Sequence, residues 1–254
     1  MKQFAKYARY YDSIYKDKDY KKEADFVEQL LKSQAKGKIK NILSIGCGTC
    51  MHELILEKSG YKITGIDRSE KMVALGKEKL KEAGSKIKLL QGDTSMKSLG
   101  TKFDAVVSLF NVIGYQTTVE ALDTYLAFSN KHLKKGGLLA FDAWYQPAIV
   151  LSRPQNKEIS AKDAEGNEFF RKTTSVLDIK KSVLHIRFEI QTENNGTRTT
   201  HADESHYMTF FTMKELEIAA QKNGFKLIKS CQPFEIKKDV SEDNWNMWVV
   251  MQKI

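Results

Sequence analysis

A glycine loop is the first stretch of the chain whose residue types could do chemistry. Gly46 and Gly48 stand two residues apart, after the apolar run NILSI and before a helix-like stretch. Glycine permits a tight turn and lets the backbone lie against a ligand where a Cβ atom would collide. The amides of the following helix N-terminus favour an anionic or carboxylate group. The stretch predicts a ligand-binding loop, although the third glycine of a dinucleotide fingerprint is absent.

The same loop contains Cys47 and Cys50, whose Cys-x-x-Cys spacing also occurs in zinc sites and redox proteins. A structural zinc site needs four ligands, and only His52 and Cys231 remain as additions. A redox pair is expected in a thioredoxin-like context, which this sequence lacks. We interpret both cysteines as small residues of a tight loop and expect no metal site.

Polar residues end the next apolar runs. Asp67 ends the run KITGID, a position from which a carboxylate accepts both hydroxyls of a ribose; a helix N-cap is the alternative interpretation. Asp93 in LLQGDTS is placed to meet an adenine amino group, although turn chemistry also explains a Gly-Asp pair. Asn111 and Tyr115 follow a fourth apolar run. These strand ends predict one shared ligand site.

The elements that must position these residues follow from the apolar pattern. Short apolar runs alternate with helix-like stretches over residues 40–150, which predicts a doubly wound parallel α/β sheet. Over residues 168–211 the period is two, with an Asn195-Gly196 turn signal, which indicates antiparallel strands. The fold class that we predict is a Rossmann-like sheet with a small antiparallel β cap inserted late in the chain.

Charge and composition narrow the class of protein. The net charge of +9 would suit nucleic acid, but few of the 41 basic residues are arginine and the lysines are scattered. The first residues contain no apolar signal sequence, and no apolar run is long enough to span a membrane. We expect a cytoplasmic protein that binds neither nucleic acid nor membrane, and we keep a homodimer as an open expectation.

Taken in order, ILSIGCGTC, ITGIDRSEKMV, LLQGDTS, FDAVVSLFNVIGY and HLKKGGLLAFDAW resemble class I S-adenosylmethionine-dependent methyltransferases. The stretches YARYYDSIYKDKDYKKEADFV and ESHYMTFFTMKEL are similar to nucleotide-sugar N-methyltransferases of the desosamine and mycaminose type. The resemblance implies an enzyme with S-adenosyl-L-methionine as cofactor and S-adenosyl-L-homocysteine as product. It also implies residues 1–36 as an N-terminal helical lid, 37–150 with 212–254 as the cofactor domain, and 151–211 as a cap that forms the substrate wall.

The resemblance carries cofactor contacts over by position. They are Gly46, Cys47 and Gly48 along the methionine and ribose, Asp67 on the ribose hydroxyls, Arg68 and Met72 on the adenine, Asp93 and Thr94 at its edge, Leu109 closing the pocket, and Tyr11 and Tyr15 covering the cofactor. Two positions depart from the pattern. Ser44 stands where an acidic residue usually precedes the glycine loop, and Tyr115 where the sugar N-methyltransferases place a histidine.

The acceptor is a small molecule, and the resemblance favours a nucleotide-linked sugar. Candidates for a general base are Tyr115, His201, His206 and Tyr207, and candidates for the substrate wall are Asn111, Trp144 and Tyr145. Because a tyrosine replaces the histidine at 115, we slightly favour methylation of a hydroxyl over an amino group. The alternatives are N-methylation of a small amine or amino acid, an NAD-dependent oxidoreductase, and a non-catalytic cofactor-binding protein.

Overall fold

The computed structural model describes residues 7–163, 165–194 and 196–254, apart from the side chain of Arg9. Its strands are β1 (Asn41–Ile45), β2 (Lys62–Asp67), β3 (Lys88–Gln91), β4 (Phe103–Ser108), β5 (Leu133–Trp144), β6 (Lys157–Lys162), β7 (Glu168–Asp178), β8 (Val183–Asn194), β9 (Thr197–Thr209), β10 (Phe225–Cys231) and β11 (Asn246–Lys253). Its helices are α1 (Ala8–Ile14), α2 (Tyr20–Gln34), α3 (Met51–Lys58), α4 (Glu70–Glu82), α5 (Val119–His132), α6 (Gln146–Leu151) and α7 (Met213–Lys222), with a 3₁₀ turn at Val112–Tyr115.

The central sheet has seven strands in the order β10-β11-β5-β4-β1-β2-β3. The strands β5, β4, β1, β2 and β3 are parallel, whereas β11 and β10 are antiparallel to their neighbours. The chain runs outward from β1 to β3 and then returns to place β4 on the other side of β1. Ligands of such sheets bind at this reversal, outside the carboxyl ends of the strands.

Both faces of the sheet are covered, which explains why β1 reads as a continuous apolar run. Ile42 of β1 packs with α2, α3 and α4 on one face, and the neighbouring Leu43 packs with α5 and α7 on the other. Both side chains are fully buried. The sheet is therefore a rigid support for the loops at its carboxyl edge.

The cap is a separate antiparallel sheet in the order β6-β7-β8-β9. It lies between β5 and α7 in the chain, so the predicted fold class, with its cap inserted late, is confirmed. The sequence missed β6, because its residues KEISAK are mostly polar and contain only Ile159 and Ala161 as an alternating apolar pair. Asn195 of the predicted turn lies outside the described residues. The domain limits at residues 36, 150 and 211 stay a prediction.

Helix α1 contacts the cap through aromatic side chains. Tyr7 stacks on Phe188 of β8 at 5.3 Å between ring centroids, and Tyr10 contacts Phe169 of β7 at 4.9 Å. Arg171 of β7 is buried and donates hydrogen bonds to the hydroxyls of Tyr7 and, at 3.2 Å, Tyr15. The N-terminal segment is thus attached to the cap. No helix among the described residues has the length and apolar character needed to cross a membrane.

Candidate active site

A cavity of about 660 Å³ opens at the carboxyl ends of β1, β2, β4 and β5, beneath the cap and beside α1. The residues predicted for the cofactor all line it. They are Tyr11, Tyr15, Gly46, Cys47, Gly48, Asp67, Arg68, Met72, Asp93, Thr94 and Leu109, joined by Asn111, Tyr115, Trp144 and His206 from the predicted acceptor side. One cavity of this size holds both sets of residues, as a group-transfer site requires.

The glycine loop has the backbone that its composition predicts. Gly46 has φ +71°, and a Cβ atom built there would lie 2.5 Å from Cγ1 of Val112. Gly48 has φ +55° and donates its N–H to Oδ2 of Asp67 at 2.8 Å. The loop is pinned between β2 and the turn after β4, with its bare backbone at the cavity.

Asp67 ends β2 with both carboxylate oxygens already oriented. Oδ2 accepts from Gly48, and Oδ1 accepts the N–H of Ser69 at 2.8 Å. Burial raises the pKa of Asp67, and the two backbone donors oppose that shift. The N-cap of α4 is Ser69 rather than Asp67, because Ser69 Oγ accepts the N–H of Met72. The carboxylate therefore remains available to donors in the cavity.

The aromatic wall on the N-terminal side is built by Tyr11 and Tyr15. Their ring centroids are 4.7 Å apart, and Tyr15 meets the ring of Phe110 edge-on at 5.1 Å. Burial raises the pKa of Tyr11 well above its usual value, so this phenol is neutral at physiological pH. The wall presents ring faces and hydroxyl groups to the cavity, but no anion.

The alternation of β9 decides which predicted bases reach the cavity. His206 is buried and lines the cavity, whereas His201 is exposed and contacts Thr192 of β8. Tyr207 is 53% exposed and stacks on His185 on the outer face of the cap. The placement of His201 and Tyr207 at the site is therefore wrong, because successive strand residues point to opposite faces.

His206 and Tyr115 form a polar contact between the cap and the turn that follows β4. Nδ1 of His206 lies 2.9 Å from the hydroxyl of Tyr115. Burial, with a smaller contribution from the Arg68 cation, lowers the pKa of His206 to about 4, so the ring is neutral near pH 7. The guanidinium of Arg68 lies 5.1 Å from the Tyr115 ring centroid. A tyrosine and a histidine are therefore both present at the acceptor side.

The predicted substrate wall is corrected at one position. Trp144 lines the cavity and packs with Tyr115 against Ile186 and Met208 of the cap. Tyr145 lies outside the cavity and forms a bridge to Phe211 below it. The chain leaves β5 at this point, so adjacent aromatic residues face different surroundings.

Two buried carboxylates at the cavity escaped the sequence analysis. Asp142 of β5 accepts the backbone N–H of Asn111 through Oδ2 at 2.8 Å, and burial raises its pKa to about 6. Glu53 of α3 is 1% exposed and accepts a hydrogen bond from Ser44. The one sequence signal for Asp142 is an acidic side chain inside the apolar run of a strand. Glu53 gives no such signal, because acidic residues are common in the first turn of a helix.

The two cysteines of the loop are free thiols and buried, as is Cys231. A hydrogen bond with Cys50 and then burial raise the pKa of Cys47, which disfavours the thiolate needed for metal or redox chemistry. Among the described residues, no three His, Cys, Asp or Glu side chains are grouped so that they could hold a metal ion. Cys47 instead packs against Gly65 of β2.

Comparison with known proteins agrees with this geometry. Residues 42–137 match the family model of the methyltransferase domain. A structure of an S-adenosylmethionine-dependent methyltransferase from Clostridium acetobutylicum aligns with a TM-score of 0.80 at 20% identity, covering 96% of each chain. Residues 42–137 are therefore a methyltransferase domain, the chain is a methyltransferase, and S-adenosyl-L-methionine is its cofactor. These findings favour methyl transfer over the NAD-dependent oxidoreductase alternative.

Within this class the chain is similar to enzymes that act on sugars. It is 29% identical to the dTDP-3-amino-3,4,6-trideoxy-alpha-D-glucopyranose N,N-dimethyltransferase of Streptomyces venezuelae, over 87% of this chain and 90% of that protein. It is 27% identical to the dTDP-3-amino-3,6-dideoxy-alpha-D-glucopyranose N,N-dimethyltransferase of Streptomyces fradiae, over 87% and 84%. These similarities span the sheet and the cap together.

The residues at the cavity fit the cofactor. Gly48 lines the cavity and has no atom within 4 Å of its Cβ position, so its bare backbone leaves space there, and Asp67 is an acceptor held in place by two backbone amides. Buried carboxylates at Glu53 and Asp142 suit a cationic ligand. The individual cofactor contacts of the predicted residues stay a prediction.

Proposed function

We propose that this methyltransferase acts on the amino group of a nucleotide-linked amino sugar. The observation that carries the proposal is the similarity over most of the chain to two enzymes named as dTDP-amino-sugar N,N-dimethyltransferases. Their names favour nitrogen as the methylated atom. The slight preference for a hydroxyl acceptor, which rested on Tyr115, is therefore not retained.

The acceptor side of the cavity supports a sugar ring. Trp144 and Tyr115 supply aromatic faces, and Ile186 and Met208 of the cap close the space above them. Aromatic faces bury the apolar side of a sugar ring, while Asn111 is a polar group at the same wall. The cap thus contributes to the acceptor site rather than only covering the cofactor.

The chain promotes methyl transfer chiefly by holding its substrates in line. When bound, S-adenosylmethionine supplies a methyl group already activated by a sulfonium. A sugar amine reacts in its neutral form, and the Tyr115–His206 pair supplies neutral polar groups that orient it. The proton released after transfer passes to solvent, because His206, with a pKa of about 4, is too weak a base to hold it. Orientation of this kind contributes up to roughly 7–11 kcal/mol in favourable cases.

The test is incubation with S-adenosylmethionine and three acceptors, followed by mass spectrometry. The acceptors are a dTDP-amino sugar, the same sugar without its nucleotide, and a dTDP sugar with a hydroxyl in place of the amine. We expect one or two CH₂ mass gains on the first acceptor alone. A gain on the hydroxyl sugar would overturn the choice of nitrogen. Equal turnover without the nucleotide would support the runner-up, a small amine or amino acid.

Location and assembly are part of the proposal. The three cysteines are free and buried, which supports a reducing compartment such as the cytoplasm. The homodimer stays a prediction, which light scattering on the purified protein tests.

A further inference from the structure

Ser44 and Glu53 stand on either side of the glycine loop and contact each other. Ser44 is at the end of β1, and Glu53 is in the first turn of α3. Oγ of Ser44 donates to Oε1 of Glu53 at 2.6 Å, and both residues are 1% exposed. The sequence pattern of the class has its acidic residue at position 44. In the structure, the carboxylate of Glu53 on α3 instead lies against Ser44 at that position.

The second oxygen of Glu53 is unsatisfied. Oε2 is buried without a hydrogen-bond partner among the described residues, and Glu53 lines the cavity. Burial raises the pKa of Glu53, with His52 and the Ser44 hydrogen bond opposing the shift. A carboxylate oxygen that is buried without a hydrogen-bond partner raises the free energy of the folded protein. A cation delivered by a ligand would remove that cost.

We propose that Glu53 is the carboxylate that pairs with the α-ammonium group of S-adenosylmethionine, in place of the acid absent at position 44. Ser44 is a positioning residue, because its hydroxyl holds Oε1 and thereby directs Oε2. The proposal rests on the cofactor assignment and not on the identity of the acceptor.

The other carboxylates at the cavity are less suited to this role. Glu23 already pairs with Lys18 and with His52. Asp67 holds two backbone amides of the loop. Asp142 also has an oxygen, Oδ1, without a partner among the described residues. Its other oxygen accepts the N–H of Asn111 in the turn after β4, and β5, which carries Asp142, is separated from β1 by β4. Asp142 is therefore the informative comparison.

The experiment measures ligand binding by calorimetry, without an acceptor. The probes are S-adenosylhomocysteine and its deaminated analogue, in which hydrogen replaces the ammonium group. For Glu53→Gln we expect S-adenosylhomocysteine to bind about ten- to a hundredfold more weakly, because a charge-assisted hydrogen bond is lost. The analogue should bind equally to the variant and the parent protein. Glu57→Gln, on the same helix but outside the cavity, is the matched control and should leave both affinities unchanged.

A gain-of-function variant keeps the test informative if Glu53→Gln alters the loop. Ser44→Asp combined with Glu53→Gln restores an acid at position 44 and should recover most of the affinity for S-adenosylhomocysteine. The proposal is overturned if Glu53→Gln weakens both probes alike, or neither. It is also overturned if Asp142→Asn, rather than Glu53→Gln, causes the loss that depends on the ammonium group.

Discussion

At the scale of single residues, Asp67 connects the glycine loop to the second strand. Its carboxylate accepts from Gly48 and Ser69, so an asparagine of equal size satisfies only part of this arrangement. For Asp67→Asn we expect the dissociation constant of S-adenosylhomocysteine to rise about tenfold or more, measured by calorimetry. Asp123→Asn, which removes a carboxylate paired with Lys222 outside the cavity, is the control. Equal binding by Asp67→Asn would contradict the ribose assignment.

His206 makes stability depend on pH in a defined direction. Its folded pKa is about 4, below the unfolded value near 6.5. As pH falls through this window the unfolded chain gains a proton that the folded chain does not, so stability present at pH 7.5 is lost towards pH 4. The loss from this group at pH 5 is about 2 kcal/mol.

Urea unfolding at pH 7.5 and pH 5 tests whether His206 causes this loss of stability. His206→Gln should show a smaller decrease between the two pH values than the parent protein does. The carboxylates of Asp142, Glu53 and Asp67 have raised pKa values and act in the opposite direction, but they are common to both proteins. An identical decrease in the two proteins would mean that His206 is not buried neutral.

At the scale of elements, the alternation of β9 separates two histidines that the sequence treats alike. His206 faces the cavity and His201 faces solvent. We expect His206→Ala to lower kcat/KM for the methylated acceptor about tenfold or more, while His201→Ala leaves it within about twofold. If both variants keep full activity, the cap supplies no polar group to the reaction.

The glycine loop yields a prediction of its own. In Gly46→Ala the new methyl group meets Val112, and the left-handed backbone is strained as well. We expect a loss of about 1–3 kcal/mol in the free energy of unfolding and much weaker binding of S-adenosylhomocysteine. Gly37→Ala is the matched control, because nothing lies within 4 Å of its Cβ position and its φ is not left-handed. A Gly46→Ala protein as stable as the control would mean that the loop has another conformation.

At the scale of the whole molecule, Arg171 joins α1 to the cap over the cavity. Its guanidinium donates to Tyr7 and Tyr15, so Arg171→Met keeps the apolar stem but removes both donors. We expect a destabilisation of about 1–3 kcal/mol and faster tryptic cleavage at Lys16 and Lys18, beyond the end of α1. Arg198→Met, which removes an exposed arginine of the same sheet, should change neither by much. Unchanged proteolysis in Arg171→Met would show that the aromatic packing and the hydrogen bond from the Tyr7 N–H to Glu204 of β9 hold α1 without the guanidinium.

The sequence by itself determined the parallel sheet and which strand-end residues meet at one cavity. Both depend on local signals: apolar runs of strand length, Gly46 and Gly48 after β1, and Asp67 at the end of β2. Parallel strands bring their carboxyl ends to one edge, so residues that end successive strands meet without further information. The capping box between Thr212 and Glu215 depends on a local signal of the same kind, because both residues lie within one helical turn.

Only the tertiary structure decided the acceptor side and the surroundings of the acids. Which of His201 and His206 faces inward depends on the register of β9 against β8, and a shift of one residue would exchange them. The contact of Glu53 with Ser44, and that of Asp142 with Asn111, require α3 and the turn after β4 to pack at the ends of their strands. Such contacts arise from packing between elements, and no spacing along the chain encodes them.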